Sequence, residues 1–458
     1  MTSLVVVGGG IAGLAAAWFA ADAGYEVTVL EATPRVGGKL LVREVGGIAV
    51  DVGAEAMLTT RPEGLDLLTA AGLADDRIGP ATTAARIRAG GRVHPLPRGT
   101  MLGIPGDVEA LRDSGALSDA ALTFVVAEPE RAPLPPLDED VAVGRLVRER
   151  LGDEVVDRLV EPLLGGVYAG RADELSLRAT MPKLAGLLAG GGSLVDAARA
   201  STGGGTLAPR TLPVFASLRG GLGRLPGSLA SSGRFTVRTG VTVRAIRRTP
   251  TGFALDCGAV PVAELVEADR VIVATPAAKA ARLLRGLAPI ASTELAGIES
   301  ANVAVVSFAF AADAVLPEGS GLLVGARERL ATKGITLTSQ KWPIQTGGVH
   351  VLRASVGRHG EPQALQLDDA DLTALVRRDL RTLLGLDAEP IDSVVTRWGG
   401  GLPQYAVGHV ERIARLRAAV TQVPGLGVCG AAYDGVGVPA CIATARDAVI
   451  AARRTMES

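Results

Sequence analysis

A chain of 458 residues with 48% hydrophobic and 21% charged residues is too long for one compact core and predicts two or three folded lobes rather than disorder. Its 47 Lys and Arg against 48 Asp and Glu leave a formal charge of -1, which excludes a global attraction to nucleic acid and confines anion binding to local sites. Three cysteines (Cys257, Cys429, Cys441) and four scattered histidines supply no Cys-x-x-Cys pair and no His-x-x-x-His face, so no metal is expected and a reducing cytoplasm suits them best.

The uncharged stretch 4–21 has the look of an apolar leader or membrane segment. No basic region precedes it, and Gly8, Gly9 and Gly10 stand in its middle, where a helix disfavours glycine. Residues 4–7 predict a buried strand, 14–23 a helix and 25–30 a second strand, which together form a βαβ unit. Apolar residues recur at helical spacing over 143–151 and 153–164, predicting a mostly helical insertion. From 184 to 209 the composition turns to Gly, Ala, Ser and Thr, which reads as a loose connector. Strands return at 235–246 and 270–274, the latter stopped by Thr275-Pro276. An α+β block follows over 303–393, and residues 427–438 read as a short strand and Gly-rich turn before an Ala-rich helix. The fold class is therefore α/β, α+β overall, with a discontinuous Rossmann-like cofactor lobe at 1–60, 211–277 and 394–458. A substrate-binding α+β lobe is expected at 61–97 and 278–393, and a mostly helical lobe ending in the Gly-rich connector at 98–210.

Gly8, Gly9, Gly10, Ile11, Ala12 and Gly13 fit Gly-x-Gly-x-x-Gly directly after a strand and at the head of a helix. In that context the first glycine permits a tight turn, the second admits a pyrophosphate to the backbone, and the third allows close helix packing. The helix N-terminus then faces the negative charge. Glu31, followed by Ala32, ends the second strand, where a carboxylate can accept hydrogen bonds from a ribose diol. A dinucleotide site is expected; the fingerprint by itself leaves NAD and FAD open.

Arg35, Val36, Gly37, Gly38 and Lys39 resemble the Arg-x-Gly-Gly stretch of the amine oxidase-like flavoproteins, a resemblance that favours noncovalent FAD. Paired glycines expose backbone amides, and the flanking cations can offset phosphate charge. Further stretches resemble the oxygen-dependent protoporphyrinogen and coproporphyrinogen oxidases. They are Arg92-Val93-His94-Pro95-Leu96-Pro97, Glu161-Pro162-Leu163-Leu164-Gly165-Gly166-Val167-Tyr168-Ala169-Gly170, and Leu175-Ser176-Leu177-Arg178. Later come Lys341-Trp342-Pro343, Leu402-Pro403-Gln404-Tyr405-Ala406-Val407-Gly408-His409, and Tyr433-Asp434-Gly435-Val436-Gly437-Val438-Pro439.

The resemblance implies an amine oxidase-like flavoprotein of haem biosynthesis that oxidises a porphyrinogen to the porphyrin, with dioxygen as acceptor and hydrogen peroxide as product. Met101-Leu102-Gly103-Ile104-Pro105 and Lys341-Trp342-Pro343 are similar to the soluble bacterial group, which favours coproporphyrinogen III over protoporphyrinogen IX. Another amine or carotenoid oxidoreductase, or a flavin-bearing partner protein, is the alternative. By the same resemblance, further FAD contacts fall at Gly53, Ala54, Glu55, Ala56, Val243, Trp398, Val436, Gly437 and Val438. Ala440 departs from the family, which commonly has an acidic residue there. Arg61, Arg86 and Arg88 are candidates to pair with substrate propionates in a wide, partly wet pocket, and such exposed pairs would be screened by salt. Lys341 is a candidate for the flavin edge. The expected protein is cytoplasmic, without a transmembrane segment or a nucleic-acid partner, as monomer or homodimer. Peripheral membrane contact and a transient contact with the next haem-pathway enzyme are left open.

Overall fold

Strands rich in valine and buried on both faces need covering layers on each side, and the computed structural model, which describes residues 1–203 and 212–453, supplies them. Ser3–Val7 pairs in parallel with Glu26–Leu30 on one side and Arg270–Val273 on the other, while Thr236–Arg238 and Leu426–Val428 complete a five-stranded sheet. Leu4 and Val6 join a core with the helices Ile11–Asp22 and Val438–Ala452. Val5 and Val7 face the opposite layer, made of Ala277–Leu284, Pro289–Ala296, His409–Thr421 and an antiparallel meander of Val243–Arg248, Phe253–Cys257 and Glu264–Ala268. The two-residue period of the strand decides this division. Because its strands come from the opening βαβ unit and from later stretches near 236, 270 and 426, the cofactor lobe is discontinuous, as expected.

A seven-stranded sheet forms the second lobe, in the order Asp392–Pro403, Ser300–Phe310, His350–Val356, Thr332–Thr336, Gly321–Val324, Ala85–Ala89, Arg92–Pro95. Along Ser300–Phe310, Ala304, Val306 and Phe308 enter the core with Leu372, Val376 and Leu380 of the helix Asp369–Leu384. The third lobe is helical and buries Val143, Val147, Leu151, Leu159 and Leu164 around one core. Among the described residues, no helix is long and apolar enough to cross a membrane.

Two expectations need correction. The stretch read as a loose connector contains the helices Pro182–Leu188 and Leu194–Ser201, with Leu184, Leu188, Leu194 and Val195 fully buried. Its small residues serve close packing: a Cβ at Gly191 would collide with the Leu134 carbonyl oxygen, where residues 134 and 192 exchange backbone hydrogen bonds at 2.9 and 3.0 Å. The rest of that stretch, 204–209, lies outside the described residues. The lobe boundaries also move. Ala277–Leu284 and Pro289–Ala296 pack on the cofactor sheet through Ala280, Leu284 and Leu295, and Pro62–Ala70 packs against Val438–Ala452, with Leu67 and Leu68 in the cofactor-lobe core. Asp392–Pro403 instead pairs along Ser300–Phe310 in the substrate-side sheet. The chain changes lobes inside ordered elements, where composition leaves no mark.

Candidate cofactor and substrate cavity

The glycines of the first turn are separated by what a side chain would meet. Gly8 has φ +112°, and a Cβ there would lie 2.7 Å from the Ala274 carbonyl oxygen. A Cβ at Gly13 would lie 1.8 Å from the Gly8 carbonyl oxygen, so this position holds the helix against the strand. At Gly10 it would meet nothing within 4 Å, and the helix N-terminus opens there into a cavity. Open amides at a helix N-terminus suit a pyrophosphate. Glu31 reaches back to the turn, accepting from the Gly9 amide at 2.6 Å and from the Thr33 amide and hydroxyl at 2.8 and 2.7 Å.

The second glycine loop docks on the first. The Gly37 amide donates to the Gly9 carbonyl at 2.8 Å, and Gly37 and Gly38 both take positive φ. Arg35 closes this loop from outside by donating to the Val36 and Gly38 carbonyls at 3.1 and 2.8 Å. Lys39 turns toward the cavity, and burial lowers its pKa from the ordinary lysine value.

The cavity is about 1150 Å³. That exceeds the roughly 300–1,000 Å³ usual for one small ligand, so it has room for two. Of the expected cofactor residues, Gly8, Gly10, Ile11, Ala12, Glu31, Ala32, Gly37, Gly38, Lys39, Gly53, Ala54, Ala56, Val243, Trp398, Val436 and Val438 line it. Gly9, Gly13, Arg35, Glu55 and Gly437 stand behind the wall. Gly437 caps the helix Val438–Ala452, whereas Glu55 points away and forms ion pairs with Lys341 at 2.5 Å and Arg353 at 2.9 Å. Burial alone would raise the Glu55 carboxyl, but the two cations hold it below its ordinary value. Arg353 also donates to the Gly53 carbonyl at 2.9 Å, and the Trp398 indole donates to the Val52 carbonyl at 3.0 Å. Glu55 therefore braces the 52–54 wall from behind.

The motif at 402–409 and the tail motif at 433–439 meet in space. Tyr405 donates to the Ala431 carbonyl at 2.7 Å and accepts from the Gly435 amide at 2.8 Å, and its ring stacks on His409 at 3.9 Å. His409 Nε2 lies 2.9 Å from the Tyr433 carbonyl oxygen. These bonds fix the Gly-rich turn whose Val436 and Val438 face the cavity. Ala440 is buried beneath that turn: a Cβ at Gly435 would come within 2.7 Å of its methyl.

At the other end the walls are Gly166 and Val167 of the helical lobe and Ser300, Val303, Val305, Lys333 and Ser355 of the seven-stranded sheet. None of the expected substrate arginines is among them. Arg88 is paired with Glu328 at 2.9 Å and Arg61 with Glu63 at 3.1 Å, and Arg86 lies on the strand Ala85–Ala89 away from the lining. Lys341, expected at the flavin edge, is committed to Glu55. The lysine that lines this end of the cavity is Lys333, eight residues earlier, which motif reading passed over; its only sequence signal is a lone charge in an otherwise uncharged strand.

The chain matches the family described as flavin-containing amine oxidoreductase over residues 11–452. It is 39% identical over 457 residues to the coproporphyrinogen III oxidase of Mycobacterium tuberculosis, covering 98% of this chain and 96% of that protein. With the enzyme of the same name from Bacillus subtilis the identity is 32% over 465 residues, covering 97% of each. Among solved structures, a protein from Exiguobacterium sp. 255-15 provisionally named protoporphyrinogen oxidase superposes with a TM-score of 0.87 at 33% identity, covering 99% of both chains.

Proposed function

The chain belongs to the flavin-containing amine oxidoreductase family, and from that premise we propose that it is a coproporphyrinogen III oxidase of haem biosynthesis, holding FAD noncovalently. Support comes first from the near full-length similarity to coproporphyrinogen III oxidases, which spans the substrate-side sheet as well as the cofactor lobe. The structural observation that carries the reading is one cavity running from the open N-terminus at Gly10 to Lys333, large enough for a dinucleotide and a second bulky ligand.

The residues divide the work. Gly10, Ile11 and the helix dipole would take the pyrophosphate, Glu31 the ribose, and Lys39 would offset phosphate charge. Trp398, Val436 and Val438 would hold the ring system against the 52–54 wall. Bound there, FAD would accept the electrons in successive two-electron steps and pass them to dioxygen, giving hydrogen peroxide; the protein binds, orients and excludes water. Cys441 lines the cavity, but burial pushes its thiol up to about 11, which disfavours the thiolate a covalent flavin link would need.

Anaerobic mixing with coproporphyrinogen III tests the reading. The yellow holoprotein should bleach within the turnover time, form fluorescent coproporphyrin III when air is admitted, and release FAD on denaturation. Bleaching only by protoporphyrinogen IX would transfer the assignment to that substrate. No bleaching by either would leave a flavin-bearing partner protein.

A further inference from the structure

Lys333 lies in a strand whose regular pattern would bury it in hydrocarbon. Thr332–Thr336 runs antiparallel to His350–Val356, and Ile335, opposite Ala354, joins the apolar core under the helix Asp369–Leu384. Strand side chains alternate with a period of two, so in regular register Lys333 would share the face of Ile335. A bulge intervenes: Thr332 pairs with Val356 and Gly334 with Ser355, leaving Lys333 as the extra residue. Such an insertion bends the strand and re-aims its side chain. Lys333 thereby turns to the cavity face that Ser355 and Val305 also line. Buried Asp379 secures the bulge, accepting the Thr332 amide at 2.8 Å.

The amine reaches the cavity without a counter-charge. Lys333 is 6% exposed, and its side chain has no hydrogen bond or ion pair among the described residues. The charged group bearing on it is another cation, Arg358, which itself stands beside Glu361, Glu161 and Arg171. The other cations lining the cavity belong to the cofactor side: Lys39 in the second glycine loop, Arg244 beside Val243, and Lys279 and Arg282 on a helix of the cofactor sheet. A buried ammonium without a partner is unfavourable, and so is a buried carboxylate.

We propose that Lys333 receives a carboxylate of the bound tetrapyrrole inside the cavity, so that each charge neutralises the other. This inference rests on the porphyrinogen reading above. Burial, with a contribution from Arg358, pushes the ligand-free ammonium down to about 7, so the empty site sheds its proton near neutrality. An arriving carboxylate favours the charged amine and draws the proton back. Affinity should therefore be full below pH 7 and fall by about tenfold per pH unit above it, until the pKa of the paired lysine is reached.

The test is equilibrium binding of coproporphyrin III, the stable four-carboxylate product, to the FAD-loaded protein, followed by fluorescence quenching across pH 6 to about 9. Lys333→Met should weaken binding by about tenfold or more at the acid end and flatten the pH dependence. Lys333→Arg, always charged, should retain binding and also lose the break near neutrality. Equal FAD content in the three proteins certifies the fold. An unchanged affinity and pH profile in Lys333→Met, or a wild-type break surviving in Lys333→Arg, would overturn the assignment of Lys333 while wild-type flavin bleaching leaves the oxidase reading intact. Wild-type protein that neither binds coproporphyrin III nor bleaches would sink both.

Discussion

Gly10 and Gly13 stand three residues apart in one turn and are needed for different reasons. A side chain at Gly13 would strike the backbone of Gly8, whereas at Gly10 it would extend into open cavity. Gly10→Val should therefore fold, because its Cβ clashes with nothing, yet fail to retain FAD, because the branched side chain fills the pyrophosphate position. The expected outcome is a colourless protein with a wild-type circular dichroism spectrum; full FAD occupancy would show that the phosphates lie elsewhere. Both roles were legible in the spacing of the glycines. That of Glu55 was not, since by resemblance it counts as a cofactor contact until Lys341 and Arg353 are brought to it from 286 and 298 residues away.

Among the elements, the helix Leu194–Ser201 depends on one carboxylate contributed from outside it. Glu128 is fully buried and accepts from the Leu194 and Val195 amides at 3.0 and 3.1 Å, from Ser193 at 2.6 Å and from Arg150 at 2.7 Å. Burial would raise its pKa, but those donors together hold it below the ordinary carboxylate value. A depressed folded-state pKa means stability present above the unfolded value and lost as pH falls through the folded one. Glu128→Ala leaves Arg150 and two helix amides unpaired, so it should cost about 3–5 kcal/mol. It should lower the thermal midpoint at neutral pH and flatten the acid side of the stability profile. A wild-type midpoint would mean that water replaces the carboxylate. Because the partner lies 66 residues from the helix it caps, the sequence of 184–209 showed mainly small residues with few large apolar ones, and these were mistaken for looseness.

For the molecule as a whole, substrate choice is a matter of where charge sits relative to water. Coproporphyrinogen III has two more carboxylates than protoporphyrinogen IX, and the arginines expected to pair with them at an exposed mouth lie outside the cavity lining, while Lys333 is buried within it. The preference in kcat/KM for coproporphyrinogen III should be at least about tenfold, roughly 1.4 kcal/mol. It should also persist from about 0.1 M to about 1 M salt, because a buried pair is screened far less than an exposed one. Loss of the preference at high salt would return the anchoring role to surface arginines. The sequence by itself determined the βαβ start, the paired glycine loops, the discontinuous cofactor lobe and the family, because these rest on short-range spacing and on turns that only glycine can make. Tertiary structure alone decided which cation meets the substrate: Lys333 faces the cavity because a bulge, held by Asp379 from 47 residues away, reverses the side on which the strand presents it.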